Sequence, residues 1–222
     1  MWRDAVLVAG KDLRIEARSK VALNQVVPFA AVVVLLFGLA LGPDRKVLAP
    51  ASAGLFWVAV LLSSVLATQR SFAVESADGA RDGLRLSGLD PAGIFLGKSA
   101  AVAVELIGLE ALLAVGVAVL YGAKLTGGLV LVAACVMATV GLAAVGIIYG
   151  AVASGLRVKE TLLPLLFLPV AAPVLLGATK AWDEALAGTP SHGLSWLMLL
   201  CVFAVLYVTI GIISFGPLLE EA

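Results

Sequence analysis

From Leu194 to Phe215 the chain runs without one charged side chain, and several other stretches of similar length do the same. A helix that crosses a bilayer needs about 20 consecutive, mostly apolar residues. Inside the hydrocarbon its backbone polar groups must be satisfied within the helix itself. Repeated runs of this kind restrict the chain to an all-α, polytopic membrane bundle. Of 222 residues, 62% are hydrophobic and 14% charged, with a mean hydropathy of +1.10. A soluble domain is about half apolar and about a quarter charged. The formal net charge is zero, which argues against a nucleic-acid partner.

The pattern predicts one membrane domain over residues 1–222, with six spans at 21–41, 53–72, 94–120, 128–153, 161–179 and 194–215. The split between the fourth and fifth rests on the charges of "SGLRVKE", because charge is costly at membrane depth. Residues 1–20 are expected to form an amphipathic interfacial helix. Trp2, Val6, Ala9 and Leu13 recur at helical spacing, and Arg3, Lys11, Arg14 and Arg18 fall opposite. No cleavable signal segment is expected. Cys135 and Cys201 lie in apolar runs and read as buried small hydrophobes.

Orientation follows from the Lys and Arg bias. Arg3, Lys11, Arg14, Arg18 and Lys20 precede the first span. Arg70, Arg81, Arg85 and Lys98 flank or occupy the second-to-third loop, and Arg157 and Lys159 the fourth-to-fifth. The other side has only Arg45, Lys46, Lys124 and Lys180. Both termini are therefore expected in the cytoplasm, and the largest cytoplasmic element is the loop at 73–93, containing "RSFAVESADGARDGLRLSGLD".

Few residues carry recognisable chemistry. "GIFLGKS", Gly93 to Ser99, has three residues before its Gly-Lys pair where a phosphate-cradling loop needs four. Lys98 is expected to snorkel to the interface. ATP, if used, must then be held by another chain. Glu105 and Glu110 lie inside the third span, where each should face a partner chain, a polar cavity or a neutralising contact. They read either as polar features of a substrate path or helix interface, or as protonated or hydrogen-bonded packing residues. The fifth span contains Pro164, Pro169 and Pro173, which predict a broken or strongly bent helix, either moving and cavity-lining or statically kinked. Gly146 and Gly150 allow close helix approach. His192, the one histidine, is placed in the last external loop with Trp182 and Asp183. It is a weak candidate for haem contact, as is Trp182. No residue set suggests a bound metal or an intramembrane enzyme, since there is neither a nucleophile–base set nor a metal-ligand cluster.

Several stretches together resemble the CcmB family, haem exporter protein B of bacterial cytochrome c maturation. "KDLRIEARSK" is similar to the family's basic N-terminal segment. "GLFWVAVLLSSVLATQRSF" (Gly54 to Phe72), with Trp57, Ser63 and Ser64, is similar to its second span. "LPVAAPVLLGAT" (Leu168 to Thr179) resembles its proline-bearing fifth span. The resemblance implies an ABC-2-like permease half that pairs with an identical copy in the bacterial inner membrane. It further implies two copies of the ATPase subunit CcmA, which would hold ATP and Mg, with CcmC, CcmD and the haem chaperone CcmE as further partners and haem as a possible substrate. Glu75, Gly79, Leu84 and Pro91 fit the outline of a coupling loop in such permeases, whereas Gly83 and Gly88 depart from it. A short helix over about Ala80 to Ser87 would dock on the ATPase through Leu84 and Leu86, with Arg81 and Arg85 on a shared face, Asp82 at the rim, and Asp78 in the same coupling loop. Two alternatives stand beside this reading: an exporter of another hydrophobic substrate, and a non-transporting scaffold that joins an ATPase to a haem-handling subunit.

Overall fold

The computed structural model describes residues 1–20, 22–42, 44–77, 88–154 and 159–221. The described residues form helices α1 (Trp2–Ser19), α2 (Val27–Ala40), α3 (Arg45–Ala77), α4 (Pro91–Leu120), α5 (Gly128–Ser154), α6 (Lys159–Leu186) and α7 (Pro190–Glu221). A π-helical turn, Ala22–Val26, precedes α2. Five helices, α3 to α7, are each long and apolar enough to span a membrane. A sixth span is reached by counting α1 and α2 together across a bend of 59°. The apolar length of that pair lies in α2, whereas α1 is charged along its whole run.

Several helices extend past the predicted spans. Apolar sequence sets the part in the bilayer, but capping decides where a helix stops. Helix α3 starts at Arg45 and continues to Ala77, so the connection between the second and third spans is shorter than the expected 73–93. Helix α4 begins at Pro91, whose missing N–H costs nothing at the first helical position. The Asp90 side chain caps it by accepting from the Ala92 N–H at 3.0 Å.

Helix α6 shows no break at its prolines and is longer than the expected span. It runs unbroken through Pro164, Pro169 and Pro173, and it ends at Leu186 instead of Thr179. Pro173 cannot serve the Pro169 carbonyl. Next to it the Tyr207 hydroxyl of α7 donates to the Val170 carbonyl at 2.7 Å, the kind of neighbouring contact that lets a bilayer helix tolerate proline. Trp182 and Asp183 consequently lie on a helix and not in a loop. His192 sits in the first turn of α7. Cys201 is exposed on the outside of α7 and Cys135 is half-buried, so neither is a fully buried small hydrophobe.

The bundle has two distinct ends. At one, Thr126 Oγ1 of the α4–α5 connection donates to the Ala185 carbonyl at 2.7 Å, and the Tyr121 hydroxyl donates to the Val34 carbonyl of α2. The other end gathers α1, the last turns of α3, the first turns of α4 and the last turns of α5. There Gly146 and Gly150 of α5 face Thr68 and Phe72 of α3, and a Cβ on either glycine would overlap those side chains. Thr68 is fully buried and has nowhere to turn. Gly146→Leu is therefore expected to lower stability by about 1–3 kcal/mol, the usual range for overpacking. SDS unfolding of the purified chain measures this, and adding Thr68→Ala should recover part of the loss.

Candidate functional site

Helix α1 is built into the bundle as well as being amphipathic. Its buried residues are Ala5 and Val8, and they sit against Gly93 and Gly97 of α4. A Cβ on Gly97 would lie 2.6 Å from the Ala5 carbonyl oxygen and 2.7 Å from Val8 Cβ. A Cβ on Gly93 would lie 2.8 Å from Asp4 Cβ. Two glycines four apart let helix backbones approach this closely. "GIFLGKS" is thus a helical seat for α1, and its backbone is engaged in α4. Trp2 and Val6 remain 72% exposed on the opposite side, free for lipid. The expected two-faced helix has a third face, directed at α4.

That third face carries acid. Asp4, Val8, Asp12 and Glu16 recur every four residues along α1. Asp4 Oδ2 accepts from the Asp90 backbone N–H at 3.3 Å. This hydrogen bond holds the Asp4 carboxyl below the usual carboxylate range. Asp12 Oδ2 lies 3.6 Å from Lys98 Nζ. Glu16 Oε2 lies 2.8 Å from Arg70 Nη2, which also donates to Ser19 Oγ at 3.3 Å. Lys98 was expected at the interface but is 2% exposed. It also reaches Ser71 Oγ at 3.5 Å and lies 5.2 Å above the Phe72 ring. Two cations from the spans are thereby neutralised by α1. A buried charge is expensive without such a partner.

The site lies directly beside the second-to-third connection. Helix α3 leads into that connection and α4 leaves it at Asp90, which α1 touches. The expected docking residues Asp78, Gly79, Arg81, Asp82, Leu84, Arg85 and Leu86 lie outside the described residues. Glu75 is on the last turn of α3, and its side chain is likewise outside them.

The other candidates separate into distinct places. Glu105 is half-buried in α4 and lines a small polar crevice with Asp12, Glu16 and Arg70. Glu110, 2% exposed, accepts a hydrogen bond from Thr139 Oγ1 of α5, so a neighbouring helix supplies its partner. Trp57 and Trp182 come together in the core. Trp182 is 1% exposed, stacks on Phe56 at 4.0 Å and donates from Nε1 to the Leu131 carbonyl at 3.3 Å. Trp57 meets both rings edge-on, at centroid distances of 5.3 Å and 6.0 Å. His192 is solvent-facing, with Nδ1 3.7 Å from Glu184 Oε2. Pro169 and Pro173 lie along α6, near the Tyr207 contact.

Sequence reasoning missed Asp12, Glu16 and the seat on Gly97. The signal was present as a four-residue acidic repeat on α1 and a G-x-x-x-G spacing on α4. What hid them was the stronger basic pattern on α1 and the resemblance of "GIFLGKS" to a phosphate loop.

Comparison with known proteins completes the placement. The profile of the family "CcmB protein" matches residues 3–220. The chain belongs to the CcmB family. Among relatives, "Heme exporter protein B" of Pseudomonas aeruginosa is 32% identical over 204 residues, covering 90% of each chain. The protein of the same name from Haemophilus influenzae is 32% identical over 184 residues, covering 82% of this chain and 83% of its own. That of Paracoccus denitrificans is 30% identical over 187 residues, 80% of this chain and 82% of its own. The match to the CcmB family covers α1 and all the spanning helices, so the α1 seat lies within the family's own extent.

Proposed function

We propose that the chain is the membrane subunit of an ABC-type complex for cytochrome c biogenesis. It couples ATP hydrolysis on a separate subunit, CcmA, to haem export and to release of the haem-loaded chaperone CcmE. Two copies would pair, with two CcmA subunits beneath and CcmC and CcmD alongside, in the bacterial inner membrane with both termini cytoplasmic. The observation that carries this reading is the CcmB match over residues 3–220 together with relatives called heme exporter protein B. The Lys and Arg bias supports the orientation.

The geometry supports a coupling role for the end that bears α1. A push on the 78–90 connection reaches the core along α3 and α4. Because α1 is fastened to both, through Glu16–Arg70 and Asp12–Lys98, the three would move as one body. The Phe56–Trp57–Trp182 cluster is packed inside the bundle with almost no exposure, which favours a haem route along a surface between chains.

The test is ATP-driven haem movement in vesicles that hold the chain and CcmA, with CcmC, CcmD and CcmE present. Haem gained on the side opposite the ATPase supports export. ATP-dependent release of CcmE without haem flux would assign the chain to the scaffold role instead.

A further inference from the structure

A groove of about 600 Å³ lies where α1, the π-helical turn and α4 meet. This is within the range of about 300–1,000 Å³ for small-molecule sites. Most of its wall is apolar, from Val104, Leu109 and Leu112 of α4, Val26 of the π-helical turn and Val27 at the start of α2. Three charged residues also line it: Glu16, Lys20 and Glu105. Glu16 is engaged with Arg70. Glu105 is half-buried, and among the described residues no hydrogen bond or ion pair engages its carboxyl. Lys20 is exposed at the rim and forms no ion pair among the described residues.

A carboxyl group on the wall of an apolar groove at membrane depth is stabilised by a cation or another polar partner. Asp12 has Lys11 at 3.0 Å and Lys98 at 3.6 Å. Arg70 lines the adjoining crevice with Glu105 but pairs with Glu16 at 2.8 Å, so among the described residues Glu105 is the one of these three acids with no cation within ion-pair distance. We propose that this groove binds a phospholipid with a primary ammonium headgroup, phosphatidylethanolamine. Its ammonium would meet Glu105, its phosphate Lys20, and an acyl chain the apolar wall of α4.

The charge pattern selects this class. A primary ammonium offers three N–H donors, as a lysine does. A trimethylated headgroup has the charge but no N–H. A purely anionic headgroup would satisfy Lys20 while bringing net negative charge beside Glu16 and Glu105. A free polar amine would gain nothing from the apolar walls. The placement also gives the lipid a consequence, because the groove is closed on one side by α1. Its occupant would lie against both α1 and α4 at the C-terminal end of α1, beyond the glycine seat.

Native mass spectrometry of the full chain released from nanodiscs tests this. The discs contain phosphatidylethanolamine, phosphatidylcholine and phosphatidylglycerol with identical acyl chains. Retention of phosphatidylethanolamine is expected to exceed that of phosphatidylcholine by about tenfold, as a charge-assisted hydrogen bond allows. In Glu105→Gln the ratio should fall to about one, and Glu105→Asp should keep part of it. Lys20→Gln should weaken retention of both lipids and leave their ratio unchanged. Circular dichroism checks that the variants keep their helicity, and if Glu105→Gln does not fold, the ratio in the unaltered chain decides alone. Equal retention of the two lipids by the unaltered chain, or an unchanged ratio in a folded Glu105→Gln chain, overturns the proposal.

Discussion

Asp12→Ala is expected to destabilise the chain by about 1.5–3 kcal/mol, the range for removing one contact to a charged group. The substitution removes the carboxylate 3.6 Å from Lys98, and Lys98 has almost no access to water. The Ser71 hydroxyl and the Phe72 ring offer it dipole and quadrupole contacts, which are weaker than a full counter-charge. The double variant Asp12→Leu with Lys98→Met should recover most of the loss, because an apolar pair of similar volume avoids desolvating two ions. SDS unfolding of the single and double variants reads both effects. An Asp12→Ala chain as stable as the original would mean that α1 does not neutralise Lys98.

Gly97→Leu is expected to drive α1 off α4. Even the first carbon of the new side chain would sit 2.6 Å from the Ala5 carbonyl oxygen, and backbone cannot yield as a flexible side chain can. The cost is at least the overpacking range of about 1–3 kcal/mol, with the loss of both ion pairs to α1 added as the helix lifts. Ala5→Cys reports the displacement, because Ala5 is buried in the docked helix. In inside-out vesicles, a membrane-impermeant maleimide should leave that cysteine unlabelled in the otherwise unaltered chain. It should label the cysteine readily when Gly97→Leu is added. Equal protection in both would show that α1 keeps its seat by another route.

These two residues mark the limit of what the sequence discloses. The spanning helices are legible because burying apolar length in a bilayer leaves few choices. Trp57, Ser63 and Ser64 identify the second span by resemblance, and the family match over residues 3–220 bears out that recognition. The role of Lys98 is not legible in the same way. Its neighbours in sequence are uncharged, and a counter-charge comes from Asp12, 86 positions earlier, through tertiary packing alone. Glu110 reads as costly until Thr139 of α5 is found beside it. The three prolines of α6 predict a break by local rules, yet the helix continues, with the Tyr207 hydroxyl of α7 serving a carbonyl next to Pro169. Trp182 reads as an interfacial loop residue because Asp183 and Glu184 follow it. Its ring is buried because α6 carries on past the apolar run.

The central claim is that this membrane chain takes its driving force from a separate ATPase through the connection between α3 and α4. Co-purification of CcmA with the chain, before and after Leu84→Asp with Arg85→Glu, tests it most directly. The account predicts that the double variant inserts and folds, keeps α1 docked by the Ala5→Cys assay, and loses CcmA by tenfold or more. A double variant that retains CcmA as firmly as the unaltered chain would contradict it.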